Sequence, residues 1–179
     1  TFVQQAHDVR AKGFELEVTA LPARGLTIGG SLSYTDTDFL NINANFLATQ
    51  SNNTGEYVPF ARPAWTGSAF FSYDTQPLFG EAFLNFRMDA LYRSYLNFSG
   101  TPVYRQTQLG GGFPADSLGS PAHAKLNGRI ALKNIEIGGA KAEFSVWGRN
   151  LTDQAVPNSN LFLPFGTAVN YDPRRTYGV

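Results

Sequence analysis

The chain has 179 residues and a formal net charge of zero, from 14 basic and 14 acidic side chains. That balance argues against a generic nucleic-acid-binding protein, which would carry an excess of basic residues. Cysteine is absent, which excludes a disulfide framework, a zinc–cysteine site and thiol chemistry. Phenylalanine, tyrosine and glycine are abundant, and this composition favours β-strands joined by many turns.

The sequence shows neither a membrane helix nor a signal peptide. No run approaches the ~18 apolar residues that a membrane-spanning helix needs. Thr1 is not followed by a charged segment and then an apolar one, as in a signal peptide. A cytoplasmic protein and a fragment cut from a longer precursor both fit, and we favour the fragment. The strands of a membrane β-barrel alternate in polarity and contain no such apolar run, so the sequence is still compatible with a membrane β-barrel.

Hydrophobic residues recur at every second position in several segments of the chain, which is the period of a β-strand. In the first such segment Phe14 and Val18 share one face, and Glu15 and Glu17 share the other. The pattern predicts strands at residues 13–21, 26–35, 65–74, 81–95, 124–132 and 141–149, with a seventh strand starting near Arg174.

The predicted connections alternate in length along the chain. Short turns are predicted at residues 21–25, 75–80 and 133–140, and long loops at residues 36–63, 96–121 and 151–172. Outer-membrane barrels of bacteria alternate in this way, with short periplasmic turns and longer extracellular loops. The strands also have the ~9–11 residues that a tilted strand needs to cross a bilayer.

Two short strings near the C-terminus indicate a protein family. Residues 147–153 read Trp-Gly-Arg-Asn-Leu-Thr-Asp, and residues 173–179 read Pro-Arg-Arg-Thr-Tyr-Gly-Val. Together they resemble the C-terminal end of a TonB-dependent receptor, a ligand-importing β-barrel of Gram-negative outer membranes. The residues that match the family pattern are Gly148, Arg149, Asn150, Leu151, Thr152, Asp153, Pro173, Arg174, Arg175, Thr176, Tyr177 and Gly178. Residues 13–37 and 62–65 also resemble strands of this family.

The resemblance implies an all-β fold, with about seven strands of an antiparallel up-and-down transmembrane barrel of about 22 strands. Residues 1–179 would be a partial barrel domain without the N-terminal plug domain and the earlier strands, and with a truncated last strand. Such a receptor binds a scarce ligand, such as a siderophore–iron complex, haem, cobalamin or an oligosaccharide. It imports the ligand with energy that the TonB complex transmits to the plug, and it is not an enzyme.

The implied partners are outer-membrane lipid, the plug and remaining barrel strands, the TonB complex and a small-molecule ligand. Neither a nucleic acid nor a cofactor is expected. If the last strand descends, as the resemblance implies, the long loops lie outside the cell, where the ligand binds. The ligand-binding candidates in or beside these loops are Asn45, Arg62, Tyr104, Arg105, Asn158, Asn160 and Tyr171.

Several aromatic residues lie near the predicted strand ends, where the interfacial girdles of a barrel belong. They are Tyr34, Trp65, Tyr73, Tyr92 and Tyr95. Charges of both signs lie opposite the apolar face, where they would line a polar lumen and pair across strands.

Two other readings share the same pattern. A passive porin-like barrel would have the same strands, and a soluble β-sandwich that binds carbohydrate through aromatic loops would have the same period. A catalytic or metal site has less support. Asp36 and Asp38 match no calcium-loop pattern, and His7 and His123 have no histidine or cysteine partner nearby in the sequence.

Overall fold

A computed structural model describes residues 8–40, 62–98, 119–163 and 166–179. Over these ranges the regular elements are all β-strands. They are β1 Asp8–Ala23, β2 Leu26–Leu40, β3 Trp65–Asp74, β4 Phe83–Arg93, β5 Leu96–Asn97, β6 Gly119–Ser120, β7 His123–Ile137, β8 Ala140–Arg149, β9 Pro157–Leu163, β10 Gly166–Tyr171 and β11 Thr176–Gly178.

Seven of these strands form one antiparallel sheet in the order β1-β2-β3-β4-β7-β8-β11. This confirms the prediction of an all-β chain built on a seven-stranded antiparallel sheet. β5 pairs with β6, and β9 pairs with β10, in two small sheets of their own. All short turns of the large sheet lie at one end, the short-turn rim, and all long connections lie at the other, the long-connection rim.

The first two strands extend further than their sequence pattern predicts. β1 begins at Asp8 rather than near residue 13, and β2 continues to Leu40. Apolar alternation stops in this region, but the strands continue because ion pairs replace apolar contacts across the ladder. Arg10 pairs with Asp38 at 2.6 Å. Asp36 and Asp38 are therefore both engaged with cations of the neighbouring strand.

The connections were also predicted too long. β1 continues to Ala23 through an irregularity in its register after Ala20, so residues 21–23 belong to the strand. β7 continues to Ile137 past a register shift that contains Asn134, whose φ is 57°. The predicted loop 151–172 contains the β9–β10 hairpin, and β5 and β6 lie at the ends of loop 96–121. β4 is shorter at both ends than its prediction, and β11 begins two residues later than predicted.

The register assigns the alternating side chains to two faces. One row across five strands runs Phe71, Met88, Gly128, Gly148 and Tyr177. The face that contains this row is called the apolar face. Its large side chains include Phe14, Leu16, Val18, Ile28, Leu32, Phe86, Ile130, Phe144 and Val146.

The opposite, polar face carries charges and hydroxyls. The Arg87 guanidinium donates to both carboxylate oxygens of Asp89, and Arg129 forms an ion pair with Glu143 of the next strand. The hydroxyls of Ser31 and Ser68 lie 2.8 Å apart. The first pair lies within β4, and the other two join neighbouring strands.

The apolar face has almost no core beneath it. Among the described residues, the buried hydrophobic side chains are Ala82, Leu96, Ala131 and Val156. Phe14, Ile130 and Phe144 remain 51%, 46% and 61% exposed. Monomeric soluble proteins rarely expose a continuous apolar surface that extends across several strands.

These features predict that residues 1–179, expressed alone in water, aggregate or stay unfolded. The outer edges of β1 and β11 have no strand beside them in the described residues, and open edges pair with other chains. Size-exclusion chromatography and circular dichroism of this segment measure the outcome. A monodisperse monomer with one cooperative unfolding transition would contradict the prediction and favour a soluble domain.

Candidate functional site

The two C-terminal strings that carry the family resemblance are in contact with each other. Asn150 directly follows β8 and is 4% exposed. Its side-chain amide donates hydrogen bonds to the carbonyl oxygens of Gln154 and Pro173, at 3.0 and 3.1 Å. Its side-chain oxygen accepts the backbone N–H of Gln154 at 3.1 Å, and its own backbone N–H binds Asn127 Oδ1 on β7. One buried amide thus ties the turn to β7 and to the segment before β11.

Asp153 forms the second half of this contact. Arg174 donates to both carboxylate oxygens of Asp153, at 3.1 and 2.9 Å, and the backbone N–H of Arg175 donates at 3.0 Å. Led by the hydrogen bond from Arg174, these donors lower the pKa of Asp153 to about 2. The carboxylate therefore stays ionised throughout the physiological pH range. We call the contact of residues 150–154 with residues 173–175 the C-terminal clamp.

The backbone of the clamp explains its residue types. Asn150 has a φ of 50° and Asp153 a φ of 52°. Asparagine and aspartate tolerate this left-handed conformation better than other residues with a side chain, because their short polar groups bond locally. The same two side chains bind the returning chain, because Asn150 donates to the carbonyl oxygen of Pro173 and Asp153 accepts from Arg174 and Arg175. The string Asn-Leu-Thr-Asp is therefore a turn and a binding surface at once.

The remaining motif residues pack around glycines. A Cβ on Gly148 would lie 2.6 Å from a methyl carbon of Leu151 and 3.0 Å from the ring of Tyr177, so these side chains cover the bare backbone. On the polar face Trp147 covers Gly178 in the same way. The Arg149 guanidinium lies 5.2 Å from the centre of the Trp147 ring, within cation–π range. This contact explains why a tryptophan lies among charges.

The structure brings together three of the seven ligand-binding candidates. Asn158, Asn160 and Tyr171 all lie on the β9–β10 hairpin, and Asn160 faces Val169 across its ladder. Arg62 is exposed and precedes β3, where it is separate from this hairpin in the sheet order. Asn45, Tyr104 and Arg105 lie outside the described residues.

The hairpin is tethered to the polar face of the large sheet. Asp172, just after β10, forms an ion pair with Lys125 of β7 and accepts a hydrogen bond from Asn158 Nδ2 at 2.8 Å. Burial raises the pKa of Asp172, but the bonds from Lys125 and Asn158 outweigh it, so the pKa is lowered overall. The side chains of Lys125 and Asp172 are only 20% and 25% exposed, which makes this tether less screened than a surface pair.

A small buried cluster lies beside the tether at the long-connection rim. Ser120 of β6 is fully buried and accepts a hydrogen bond from Arg93 of β4 at 2.9 Å. Val156 and Pro157, at the start of the hairpin, are also buried. Parts of two connecting segments therefore pack against the strand ends at this rim. Arg93, Ser120, Lys125 and Asp172 were not among the predicted residues.

The polar face and the rim hold no metal-binding group in the part of the chain that the structure describes. Within the same ranges no helix is long and apolar enough to cross a membrane. Comparison with known protein families, with curated proteins and with solved structures found no match.

The clamp predicts a defined pH dependence. Because the pKa of Asp153 is lowered in the folded state, its contribution is complete above the unfolded value of ~3.9 and is lost as pH falls through about 2. Replacing Asp153 with asparagine should lower the free energy of unfolding at pH 7, and the gap to wild type should shrink toward pH 2. Denaturant titrations at several pH values measure the gap. Glu17→Gln, a carboxylate change on β1 far from the clamp, is the control; a gap independent of pH would contradict the assignment.

Proposed function

We propose that this chain is part of the transmembrane β-barrel of a TonB-dependent outer-membrane receptor, which binds a scarce extracellular ligand and imports it. The observation that carries the proposal is a single sheet with an exposed apolar face on one side and an ion-paired polar face on the other. In a membrane the apolar face contacts lipid, so it needs no protein core. The polar face then lines the lumen and contacts the plug.

On β1 and β2 the side chains of the apolar face change from apolar to charged within a few residues. Toward the long-connection rim, the last apolar pairs on this face are Leu16 with Leu32 and then Phe14 with Tyr34. The next two pairs on the same face are charged: Lys12 with Asp36 and Arg10 with Asp38. A change from aliphatic to aromatic to charged pairs is what a strand encounters on leaving hydrocarbon, crossing the interface and entering water.

Aromatic side chains cluster at this level. The rings of Tyr34 and Trp65 are centred 4.6 Å apart, and Phe14 lies 5.8 Å from Trp65 in an edge-on contact. At the opposite end of β3, Tyr73 is 37% exposed on the same face. Trp65 and Tyr73 are ~26 Å apart along the strand at ~3.3 Å per residue. With the ~35–45° tilt of barrel strands this gives ~20 Å along the membrane normal, close to the ~25 Å apolar band of such barrels.

The C-terminal clamp supports a receptor over a passive porin-like barrel. Both strings of the family pattern are needed to build it, because Asn150 and Asp153 belong to one string and Pro173 and Arg174 to the other. A chance match of two strings would not be expected to assemble into one contact. The clamp supports the resemblance as a physical unit, and TonB-coupled import follows from the resemblance.

A soluble carbohydrate-binding sandwich is the second candidate, favoured by the exposed cluster of Phe14, Tyr34 and Trp65. A sandwich needs a second sheet over the apolar face. Among the described strands, those outside the seven-stranded sheet pair only with each other, and they lie at the long-connection rim. The membrane reading accounts for more of the surface.

In the proposed mechanism no bond of the ligand is made or broken. The ligand binds at the long-connection rim, where the β9–β10 hairpin carries Asn158, Asn160 and Tyr171. The tether of Asp172 to Lys125 holds the hairpin over the polar face, so ligand contacts are preorganised. Energy then reaches the plug from the TonB complex and opens a path along the polar lumen.

Arginine substitutions on the two faces test the membrane assignment. Replacing Phe86 or Ile130, which pair on β4 and β7, with arginine should destabilise the barrel, by roughly 2–4 kcal/mol if their level lies near the bilayer midplane and by less if it lies nearer the interface with Tyr73, their neighbour in the ladder. Arg129→Ser lies beside Ile130 on the polar face and breaks a half-exposed ion pair, which is worth about 0–1 kcal/mol. Reversible unfolding of the complete barrel in lipid measures all three. Equal losses at the three sites would argue against a lipid-facing apolar face.

Loop exchange tests the receptor assignment. Residues 96–121 and 151–172 are replaced, in the complete receptor, by the corresponding loops of a relative with another ligand. Ligand preference should shift toward that of the donor, because these segments carry the candidate contacts. A matched exchange of the β3–β4 connection, residues 75–82 at the opposite rim, should leave preference unchanged. No shift after the long-loop exchange would show that the loops do not set specificity.

A further inference from the structure

The polar face carries a strip of hydroxyl groups on β2 and β3. From Ser31 to Thr37, each polar-face residue of β2 is a serine or a threonine. On β3, Ser68 and Thr66 pair with Ser31 and Ser33 and extend the hydroxyls sideways. We call this strip, which runs toward the long-connection rim, the hydroxyl strip; its members are Ser31, Ser33, Thr35, Thr37, Thr66 and Ser68.

A pocket of about 280 Å³, the hydroxyl pocket, opens at the rim end of the strip. Small residues on both sides of Thr35 leave this space. Gly13 pairs with Thr35 on β1, and the Ala64 carbonyl oxygen accepts the Thr35 backbone N–H at 2.9 Å. A Cβ on Gly13 would overlap the backbone oxygen of Tyr34, so this position stays small. The volume lies just below the ~300–1,000 Å³ of typical ligand sites, which suits one ring-sized group. The lining residues are Ser33, Thr35, Arg62, Pro63, Ala64 and Thr66.

The lining groups have hydrogen-bonding capacity that the described residues do not use. Among those residues, the hydroxyls of Thr35 and Thr66 and the guanidinium of Arg62 have neither a hydrogen-bond nor an ion-pair partner. Two buried polar atoms beside the pocket also lack a partner in the described part of the chain. They are Thr37 Oγ1, on the next polar-face residue after Thr35, and Arg93 Nε, on the residue that pairs with Thr66. Polar groups thus gather here without bonding one another.

The pocket offers an acceptor on one side and donors on the other. Ser33 donates a long hydrogen bond, 3.5 Å, to Glu15 Oε1, so its oxygen is left to accept. Arg62 can only donate, whereas the hydroxyls of Thr35 and Thr66 can do either. An oxyanion only accepts, and the carboxylate of Glu15 behind Ser33 would repel it. A sugar hydroxyl both donates and accepts, so the neighbouring hydroxyls of one sugar ring match both sides.

We propose that the hydroxyl pocket binds a sugar ring of the imported ligand, which is a neutral oligosaccharide. The inference rests on the proposed function, because only a barrel lumen places the hydroxyl strip along the route of an imported ligand. Below the pocket the strip continues with Ser31 and Ser68, whose hydroxyl oxygens lie 2.8 Å apart. A second ring of the same oligosaccharide therefore meets hydroxyl groups as it moves away from the rim.

The test applies the complete receptor, labelled with a fluorophore in detergent, to an array of neutral and acidic oligosaccharides. It should bind neutral oligosaccharides, and the one bound best is then titrated by calorimetry. Thr35→Val and Thr66→Val keep the side-chain shape and remove one hydroxyl each. Each should lower the affinity about threefold to tenfold, the effect of one neutral hydrogen bond. Ala64→Leu fills the space between Arg62 and Thr66 and should abolish binding.

A matched control lies on the same strand and face. Thr27 pairs with Ser72 on the polar face near the short-turn rim, so Thr27→Val makes the same change outside the hydroxyl strip and should leave the affinity unchanged. Wild-type affinity in both Thr35→Val and Thr66→Val, or in Ala64→Leu, would overturn the proposal. An array on which only acidic oligosaccharides bind, or none, would overturn it as well. Displacement of the bound sugar by millimolar inorganic phosphate would do the same, since that would show an oxyanion site.

A second readout separates failure of this proposal from failure of the proposed function. Wild type and each variant are examined for heat-modifiable migration in gels, which reports a closed barrel and shows that a variant has folded. A heat-modifiable barrel that binds no neutral oligosaccharide refutes the sugar pocket and leaves the receptor assignment intact. A protein recovered as a soluble monomer, without heat-modifiable migration, refutes the receptor assignment, and with it the import of a sugar through this pocket.

Discussion

The constraint on which the structure depends is the hydrogen-bond ladder of one large antiparallel sheet. Each backbone N–H and C=O inside the sheet is paired with a neighbouring strand, so side chains must alternate between two faces. Through this alternation the chain places most of its large apolar side chains on one face and most of its charged side chains on the other. Hydrophobic contact between layers, which stabilises most soluble domains, contributes little here, because the described hydrophobic core has four members.

The polar groups of the rim perform the task that a core performs elsewhere. The clamp around Asn150 and Asp153 fixes where β11 joins β8, and the Lys125–Asp172 tether fixes where the β9–β10 hairpin lies. Both depend on geometry that is easily lost, since a buried amide without partners costs roughly 1–3 kcal/mol. At this end of the sheet, hydrogen bonds and ion pairs fix the positions of the chain segments. In the rest of the sheet, the backbone hydrogen bonds between strands fix them.

Much of the sheet could be predicted because its signal is local. The period of two located the strands, and glycine and proline located the turns. The charged ends of β1 and β2 were missed because Arg10 and Lys12 find their partners on another strand, and pairing of that kind has no local period. The β9–β10 hairpin was missed because Asn- and Pro-rich segments read as loop, whereas Val156 and Pro157 are buried against the rim.

Two of the hydrophobic residues on the polar face illustrate the same limit. Phe70 and Trp147 break the alternation in the sequence, yet each lies over a glycine of the adjacent strand with an arginine against its ring. Their environment is decided by Gly29 and Gly178, which are distant in the chain. The motif residues were recognised by resemblance, but that Asn150 reaches Pro173 could be learned only from the folded chain.

The charged extension of β1 and β2 has a consequence for how this region responds to its surroundings. From Phe14 to Asp8 the ribbon rises ~20 Å above the aromatic level at ~3.3 Å per residue, and β3 begins only at that level. Within the described residues these two strands have no third neighbour above that level, and two-stranded ribbons twist more than a full sheet. Their cross-links are half-exposed ion pairs, whose attraction weakens as salt accumulates. We therefore expect this two-stranded ribbon to be stiffer at low ionic strength than at high ionic strength.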